Sequence, residues 1–102
     1  MEDAQFTQLE NNAVNASICW IKNDTGYFTM ERTVNEYLDA IGANTAPGND
    51  PELIAGRRAL AVQRLAIKSI HALDSSELQH LDVRLKEIAL DLPTNRNQSI
   101  HR

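Results

Sequence analysis

The fold is decided by residues 50–73, DPELIAGRRALAVQRLAIKSIHAL, which form the longest and most apolar periodic run in the 102-residue chain. The start of this run has the residues that begin a helix. Asp50 can cap exposed backbone amides, Pro51 suits the first helical position, and Glu52 lies favourably at the positive end of the helix dipole. The pattern therefore predicts a helix over residues 51–73.

Apolar residues lie on more than one side of this predicted helix. At about 100° per residue, they fall on one side (Ala55, Ala59, Val62, Ala66, Ile70, Leu73), on the adjoining flank (Leu60, Ile67) and on the opposite side (Ile54, Ala61, Leu65). A helix that needs cover on several sides normally packs against several neighbours. We therefore expect the segment to be the central, mostly enclosed helix of a small all-α, four-helix bundle-like domain.

The polar surface of the central helix is narrow and basic. By helical geometry, four side chains lie within roughly one sixth of the circumference, and we call them the basic stripe: Arg57, Arg64, Lys68 and His71. One interpretation is a binding site for an acidic protein surface or for phosphate. The alternative is a solvated face, or one paired with acidic side chains elsewhere in the bundle.

Length and composition indicate one small domain, which we assign to residues 1–93, with a flexible polar tail at 94–102. Aromatic residues make up only 5% of the chain, and aliphatic residues and alanine dominate, which favours helices over strands. The N-terminus lacks the features of a secretory signal, and no run is long enough to span a membrane. With a single cysteine, Cys19, the expected compartment is the cytoplasm.

Two helices are predicted before the central one. The first extends from Asp3 to about Lys22, although the β-prone run SICWI and the turn after it leave a short hairpin over residues 17–30 as an alternative. The second begins at Thr29 or at Thr33 and ends at Gly42. The aromatic residues at this first connection are expected to anchor it in the core, with a contact to a partner as the alternative; they are Trp20, Tyr27 and Phe28.

Charge is divided unequally between the halves of the chain. Residues 1–50 hold eight acidic and two basic side chains, whereas residues 51–102 hold six acidic and eight basic ones. The second helix carries Glu31, Glu36 and Asp39 on its predicted outer side. We therefore expect this helix to be the internal partner of the basic stripe.

The last helix is predicted to start at Asp74, with Glu77 completing a capping box, and to end before Pro93. The short connection to the central helix predicts an antiparallel hairpin. Its apolar seam has spacings of three and four: Leu78, Leu81, Leu85, Ile88 and Leu92. This seam packs into the bundle or, alternatively, forms the interface of a homodimer.

No catalytic, metal or cofactor site is predicted. The candidate metal ligands are His71, His80, His101 and Cys19, and none has the spacing of a metal-binding motif. Cys19 lies in an apolar run, where a thiol is usually an inert core residue. We therefore expect a protein that is not an enzyme and has no cofactor.

The sequence favours a small regulatory, inhibitor or adaptor protein, of bacterial or phage type, that binds a protein partner through helix faces. Two alternatives remain. The first is a nucleic-acid-associated regulator that uses the basic stripe, which the net charge of -4 disfavours. The second is a secretion or assembly chaperone that holds a partner's helix.

Overall fold

A computed structural model describes residues 2–91, and within them the chain forms four α-helices and no strand. The helices are α1 (Glu2–Asn23), α2 (Tyr27–Ala40), α3 (Pro51–Lys68) and α4 (Ser75–Leu90). Short 3₁₀ turns at Pro47–Asn49 and Ile70–Ala72 flank α3. The predicted all-α class is confirmed. The predictions for Leu92, Pro93 and the tail at 94–102 lie outside the described residues.

The predicted caps at the starts of α3 and α4 are both present. The Asp50 carboxylate accepts a hydrogen bond of 3.0 Å from the amide of Glu52. At the start of α4, the Asp74 carboxylate accepts from the Glu77 amide (2.8 Å), and the Glu77 carboxylate accepts from the Asp74 amide (3.0 Å). These caps satisfy amides that have no partner inside the helix, so the two starts are fixed by local sequence.

The first connection differs from the prediction. Helix α1 continues through residues 17–23, so the alternative of a hairpin is wrong, and α2 begins at Tyr27 instead of Thr29 or Thr33. The hydroxyl of Thr33 donates to the Met30 carbonyl (3.0 Å) inside the helix and does not cap it. The predicted stop at Gly42 is present, with a positive φ of 79° just beyond the end of α2.

Helix α3 ends at Lys68, five residues earlier than predicted. The hydroxyl of the buried Ser69 donates to the carbonyl of Leu65 (2.9 Å), and the chain then continues as the 3₁₀ turn Ile70–Ala72. A serine hydroxyl that bonds back to the preceding turn competes with regular helix geometry. His71 therefore lies beyond the helix that carries the rest of the basic stripe.

The helices pack as two hairpins, with α1 mainly against α2 and α3 mainly against α4. Arg58, near the start of α3, contacts the last turn of α4. The hydrophobic core lies where the hairpins meet, and its largest fully buried aliphatic side chains come from the last three helices: Met30, Val34, Leu38, Val62, Leu65, Leu81 and Leu85.

The prediction that α3 is enclosed on several sides is wrong. Its buried residues occupy one face: Ile54, Arg58, Ala61, Val62, Leu65 and Ala66. Leu60 and Ile67 were expected to be covered, yet they are 70% and 58% exposed. The other three helices cover only one side of α3. That side contains Arg58.

Arg58 is fully buried and joins three parts of the fold. Its guanidinium donates to the carbonyls of Ala89 (2.9 Å) and Ile88 (2.8 Å) in the last turn of α4. It also donates to the side-chain oxygens of Asn44, in the loop after α2, and of Asn35, in α2. Because the last carbonyls of a helix have no partner inside it, this arginine acts as a C-terminal cap supplied by another helix.

Replacing Arg58 with methionine should lower the free energy of unfolding by about 2–4 kcal/mol, because it leaves buried carbonyls without a donor. The matched control is Arg57→Met, which changes the neighbouring, exposed arginine and should have a much smaller effect. Urea denaturation followed by circular dichroism measures both values. Equal losses in the two variants would contradict this role of Arg58.

Candidate functional site

The basic stripe lies on the exposed side of α3 as far as the helix extends. Arg57, Arg64 and Lys68 are all exposed, with 62% of the Arg64 side chain and 40% of the Lys68 side chain accessible to solvent. His71 is also exposed but belongs to the 3₁₀ turn. The structure therefore brings three of the four predicted residues onto one helical flank.

Two of these cations are paired inside the chain by Glu10 of α1. The Glu10 carboxylate is nearly buried and accepts hydrogen bonds from Arg64 Nε (2.7 Å) and the Tyr37 hydroxyl (2.8 Å), and Lys68 Nζ lies 2.8 Å from it. The prediction that α2 supplies the acidic partner is wrong, because the carboxylate that pairs with Arg64 and Lys68 is Glu10 of α1. Arg57 donates to the carbonyl of Thr45 (2.6 Å).

The pairing keeps Glu10 and Arg64 charged, and Tyr37 neutral, near neutral pH. Burial raises the pKa of Glu10, but hydrogen bonds from Lys68, Tyr37 and Arg64 outweigh it, so the net pKa lies below its ordinary value. Burial, together with the hydrogen bond to Glu10, raises the pKa of Tyr37 to about 12. The same carboxylate raises the pKa of Arg64. Glu10 is therefore an anion, and Tyr37 a neutral donor to it.

Aliphatic side chains occupy the most outward positions of α3. Leu53, Leu60 and Ile67 are spaced by seven residues and therefore follow one line along the helix, with 49%, 70% and 58% of each residue exposed. We call these three residues the α3 ridge, and Arg57, Arg64 and Lys68 border it on one side. Their spacing is visible in the sequence, but the prediction of an enclosed α3 places Leu60 and Ile67 under other helices.

Shallow depressions lie on both sides of the α3 ridge. One has a volume of about 380 Å³ and is bordered by Ile41, Arg57, Leu60 and Arg64. A second, of about 430 Å³, lies between α3 and α4, and its lining includes Ile67 together with Gln63, Ile70 and Leu78. The ridge is thus a raised apolar line between two recesses, and two of the cations, Arg57 and Arg64, border the recess toward the end of α2.

The predicted dimer seam lies mostly inside the chain. Leu81 and Leu85 are completely buried and Ile88 is 4% exposed, whereas Leu78 is partly buried against the same core. Leu92 lies outside the described residues. A contact between two subunits through these side chains would require the core to open, so the seam is occupied within each chain.

Other residues considered for chemistry lie apart. His80 is exposed and stacks on Trp20, with 5.1 Å between ring centroids, and His101 lies outside the described residues. Cys19 is exposed, so the prediction of a core thiol is wrong. Within residues 2–91, no group of three or more His, Cys, Asp or Glu side chains is arranged to hold a metal ion. Phe28 is 82% exposed, contrary to its predicted anchoring in the core.

Comparison with known proteins adds no relative. The chain matches no protein-family model, no curated protein and no solved structure. Across residues 2–91, none of the helices combines the length and the apolar character that a membrane crossing requires. Any function must therefore be inferred from the residues and surfaces of this chain.

Replacing Glu10 with glutamine should lower the free energy of unfolding by about 1.5–3 kcal/mol at pH 7, because charge-assisted hydrogen bonds are lost. The folded-state pKa of Glu10 is lowered, so its contribution is complete above its unfolded pKa of about 4.3 and is lost as pH falls through the lowered value. The difference between wild type and Glu10→Gln should therefore shrink as pH falls below about 4.3, the unfolded value.

Urea unfolding at a series of pH values measures this difference. Glu87→Gln is the control, because Glu87 is exposed and pairs with Arg84 on the same helix surface. The control should follow wild type at every pH. A deficit in Glu10→Gln that stays constant at every acidic pH at which the protein remains folded would show that the carboxylate charge is not what stabilises this contact.

Proposed function

We propose that this chain is a small, non-enzymatic regulatory or adaptor protein of the cytoplasm that binds a protein partner through the outer face of α3. The observation that carries the proposal is the α3 ridge: Leu53, Leu60 and Ile67 point away from the core along the whole helix. We further propose that the two hairpins form a four-helix bundle that presents this face on a rigid scaffold.

The arrangement of the α3 ridge is unusual for a solvated helix. Single exposed aliphatic residues are common on proteins, but the outward face of a surface helix is normally polar. On α3 the aliphatic residues Leu53, Leu60 and Ile67 occupy the positions that point most directly outward, and the cations lie beside them. Complete burial of a leucine or isoleucine contributes about 1.5–3 kcal/mol, so covering Leu60 and Ile67 would contribute substantially to a complex.

Charged residues at the edge of this face also support a protein interface. Arg57, Arg64 and Lys68 border the aliphatic line, and protein interfaces commonly combine an apolar centre with a polar rim. Arginine is enriched in interfaces because its planar guanidinium can bond to a partner while its stem packs on apolar groups.

The non-enzymatic part of the proposal is supported by the roles of the polar groups. Glu10 and Tyr37 bond to each other and to the cations of α3, while Arg58 caps α4. These contacts stabilise the fold and leave the groups occupied. The exposed His80 stacks on Trp20. The indole ring of Trp20 cannot act as a second acid or base beside it.

The alternatives explain the α3 ridge less well. Phosphates would contact the cations but not Leu60 or Ile67, and the single carboxylate of Glu10 already lies between Arg64 and Lys68. A homodimer through the predicted leucine seam conflicts with the burial of that seam. A chaperone that holds a helix of another protein would use the same ridge, and is therefore a special case of partner binding.

The double variant Leu60→Asp/Ile67→Asp should reduce partner binding at least about tenfold, because it puts charges at the apolar centre of the interface. A photo-crosslinking amino acid at the exposed Gln63 would report the contact in the native host. Phe28→Asp is the control, because it changes an even more exposed apolar residue, which lies on α2. The crosslinked product should disappear in the double variant and persist in the control.

Both variants change exposed side chains, so their thermal unfolding should stay close to wild type, and this can be checked by circular dichroism. A crosslinked product that survives Leu60→Asp/Ile67→Asp, with the fold intact, would contradict binding through the α3 ridge.

A further inference from the structure

The cationic side of the α3 ridge alternates apolar and positively charged groups along the helix. Ile41 and Arg57 share a depression with Leu60 and Arg64, and a neighbouring depression of about 460 Å³ is bordered by Leu60, Arg64, Ile67 and Lys68. The second depression is lined by α3 residues alone, and Leu60 and Arg64 belong to both, so the two form one continuous shallow surface that extends from the end of α2 along α3. We call this surface the α2–α3 groove.

The length of the α2–α3 groove suits a helix. Arg57 and Lys68 are eleven residues apart, which corresponds to about 16 Å, or about three helical turns. An amphipathic helix of that length presents apolar residues at positions i, i+3 or i+4, and i+7 along one side. Ile41, Leu60 and Ile67 offer apolar surface to such residues at successive points along the groove.

The positive charge of the α2–α3 groove favours acidic residues on one flank of the helix that binds there. Three cations line it, and the one carboxylate among their described ion pairs is Glu10, which is only 5% exposed. The Arg64 side chain engages Glu10 through Nε and remains 62% exposed. A surplus of positive charge therefore faces outward beside the apolar residues, and acidic side chains on a partner would complement it.

From this juxtaposition we propose that the α2–α3 groove binds an amphipathic helix of a partner protein, with aspartate or glutamate along the flank that faces Arg57, Arg64 and Lys68. The inference rests on the proposed function and adds the chemistry of the partner. A second copy of this chain fits less well, because antiparallel pairing of two α3 helices about a twofold axis places their cationic flanks on the same side.

The proposal can be tested by selection from a displayed library of helical peptides. Each peptide keeps leucines at the apolar positions, and its flank positions vary among acidic, basic and neutral residues. The full-length protein is the target. Selected peptides should be enriched in Asp and Glu at the flank, because they complement the cations of the groove. Enrichment in Lys and Arg, or no preference of sign, would overturn the proposal.

Two synthetic peptides then measure how much the sign of the flank charge changes the affinity. They share one selected sequence, except that the flank carries glutamate in one and lysine in the other. Fluorescence anisotropy should show at least about tenfold tighter binding of the glutamate peptide at about 0.1 M salt, with a smaller difference at about 1 M. Arg57→Glu should weaken the glutamate peptide and strengthen the lysine peptide.

Arg32→Glu is the matched control, because it makes the same change in net charge at an exposed position of α2 that borders a different depression. It should leave the ratio between the two peptides close to wild type. An equal change in Arg32→Glu and Arg57→Glu would mean that the peptides respond to the overall field of the protein, and would overturn the proposal.

The remaining outcomes separate the two proposals. If both peptides bind equally and Leu60→Asp abolishes both, the acidic helix is wrong while binding through the α3 ridge stands. If no selected peptide depends on Leu60 and host crosslinking at Gln63 also survives Leu60→Asp/Ile67→Asp, both proposals fail. If anionic vesicles or duplex DNA bind and Arg57→Glu abolishes that binding, the occupant of the groove is a phosphate-bearing surface and the helix is wrong. If the protein forms a dimer that Leu60→Asp dissociates, the occupant is a second copy of the chain and the helix is again wrong.

Discussion

The burial of Arg58 determines which side of α3 faces the solvent. Its guanidinium bonds to the carbonyls of Ile88 and Ala89 and therefore has to point toward the end of α4. At about 100° per residue, Ile67 and Leu60 lie about 180° and about 200° around the helix from Arg58. Once the arginine is inside, these two aliphatic residues point outward. The exposed apolar line on α3 is thus a direct consequence of one buried cation.

The features that the sequence predicted correctly depend on residues close together in the chain. The caps formed by Asp50 and Asp74 need partners only two or three residues away, and the break at Gly42 follows from the backbone freedom of glycine. Arg58 is different, because its burial depends on carbonyls thirty residues later and on two asparagine side chains. The periodic pattern of α3 therefore indicated the helix but not its orientation.

The basic stripe shows the same limit. Its residues were identified from spacing alone, and Arg57, Arg64 and Lys68 do share an exposed flank. The partner of the stripe was assigned to α2 because acidic residues are concentrated there, whereas Glu10 on α1 occupies that position. Which helix meets which flank depends on rotations of whole helices, and a single charge pattern does not determine them.

Pairing by Glu10 changes what the cations can contribute to binding. Ordering a long side chain at an interface costs about 0.5–1.5 kcal/mol, and Arg64 and Lys68 are already held by the carboxylate of Glu10 in the free protein. The same carboxylate offsets part of their charge, so their attraction for an acidic group is weaker than that of isolated cations. Affinity would then come mainly from Leu60 and Ile67, and the cations would distinguish one partner from another by the sign of its flank.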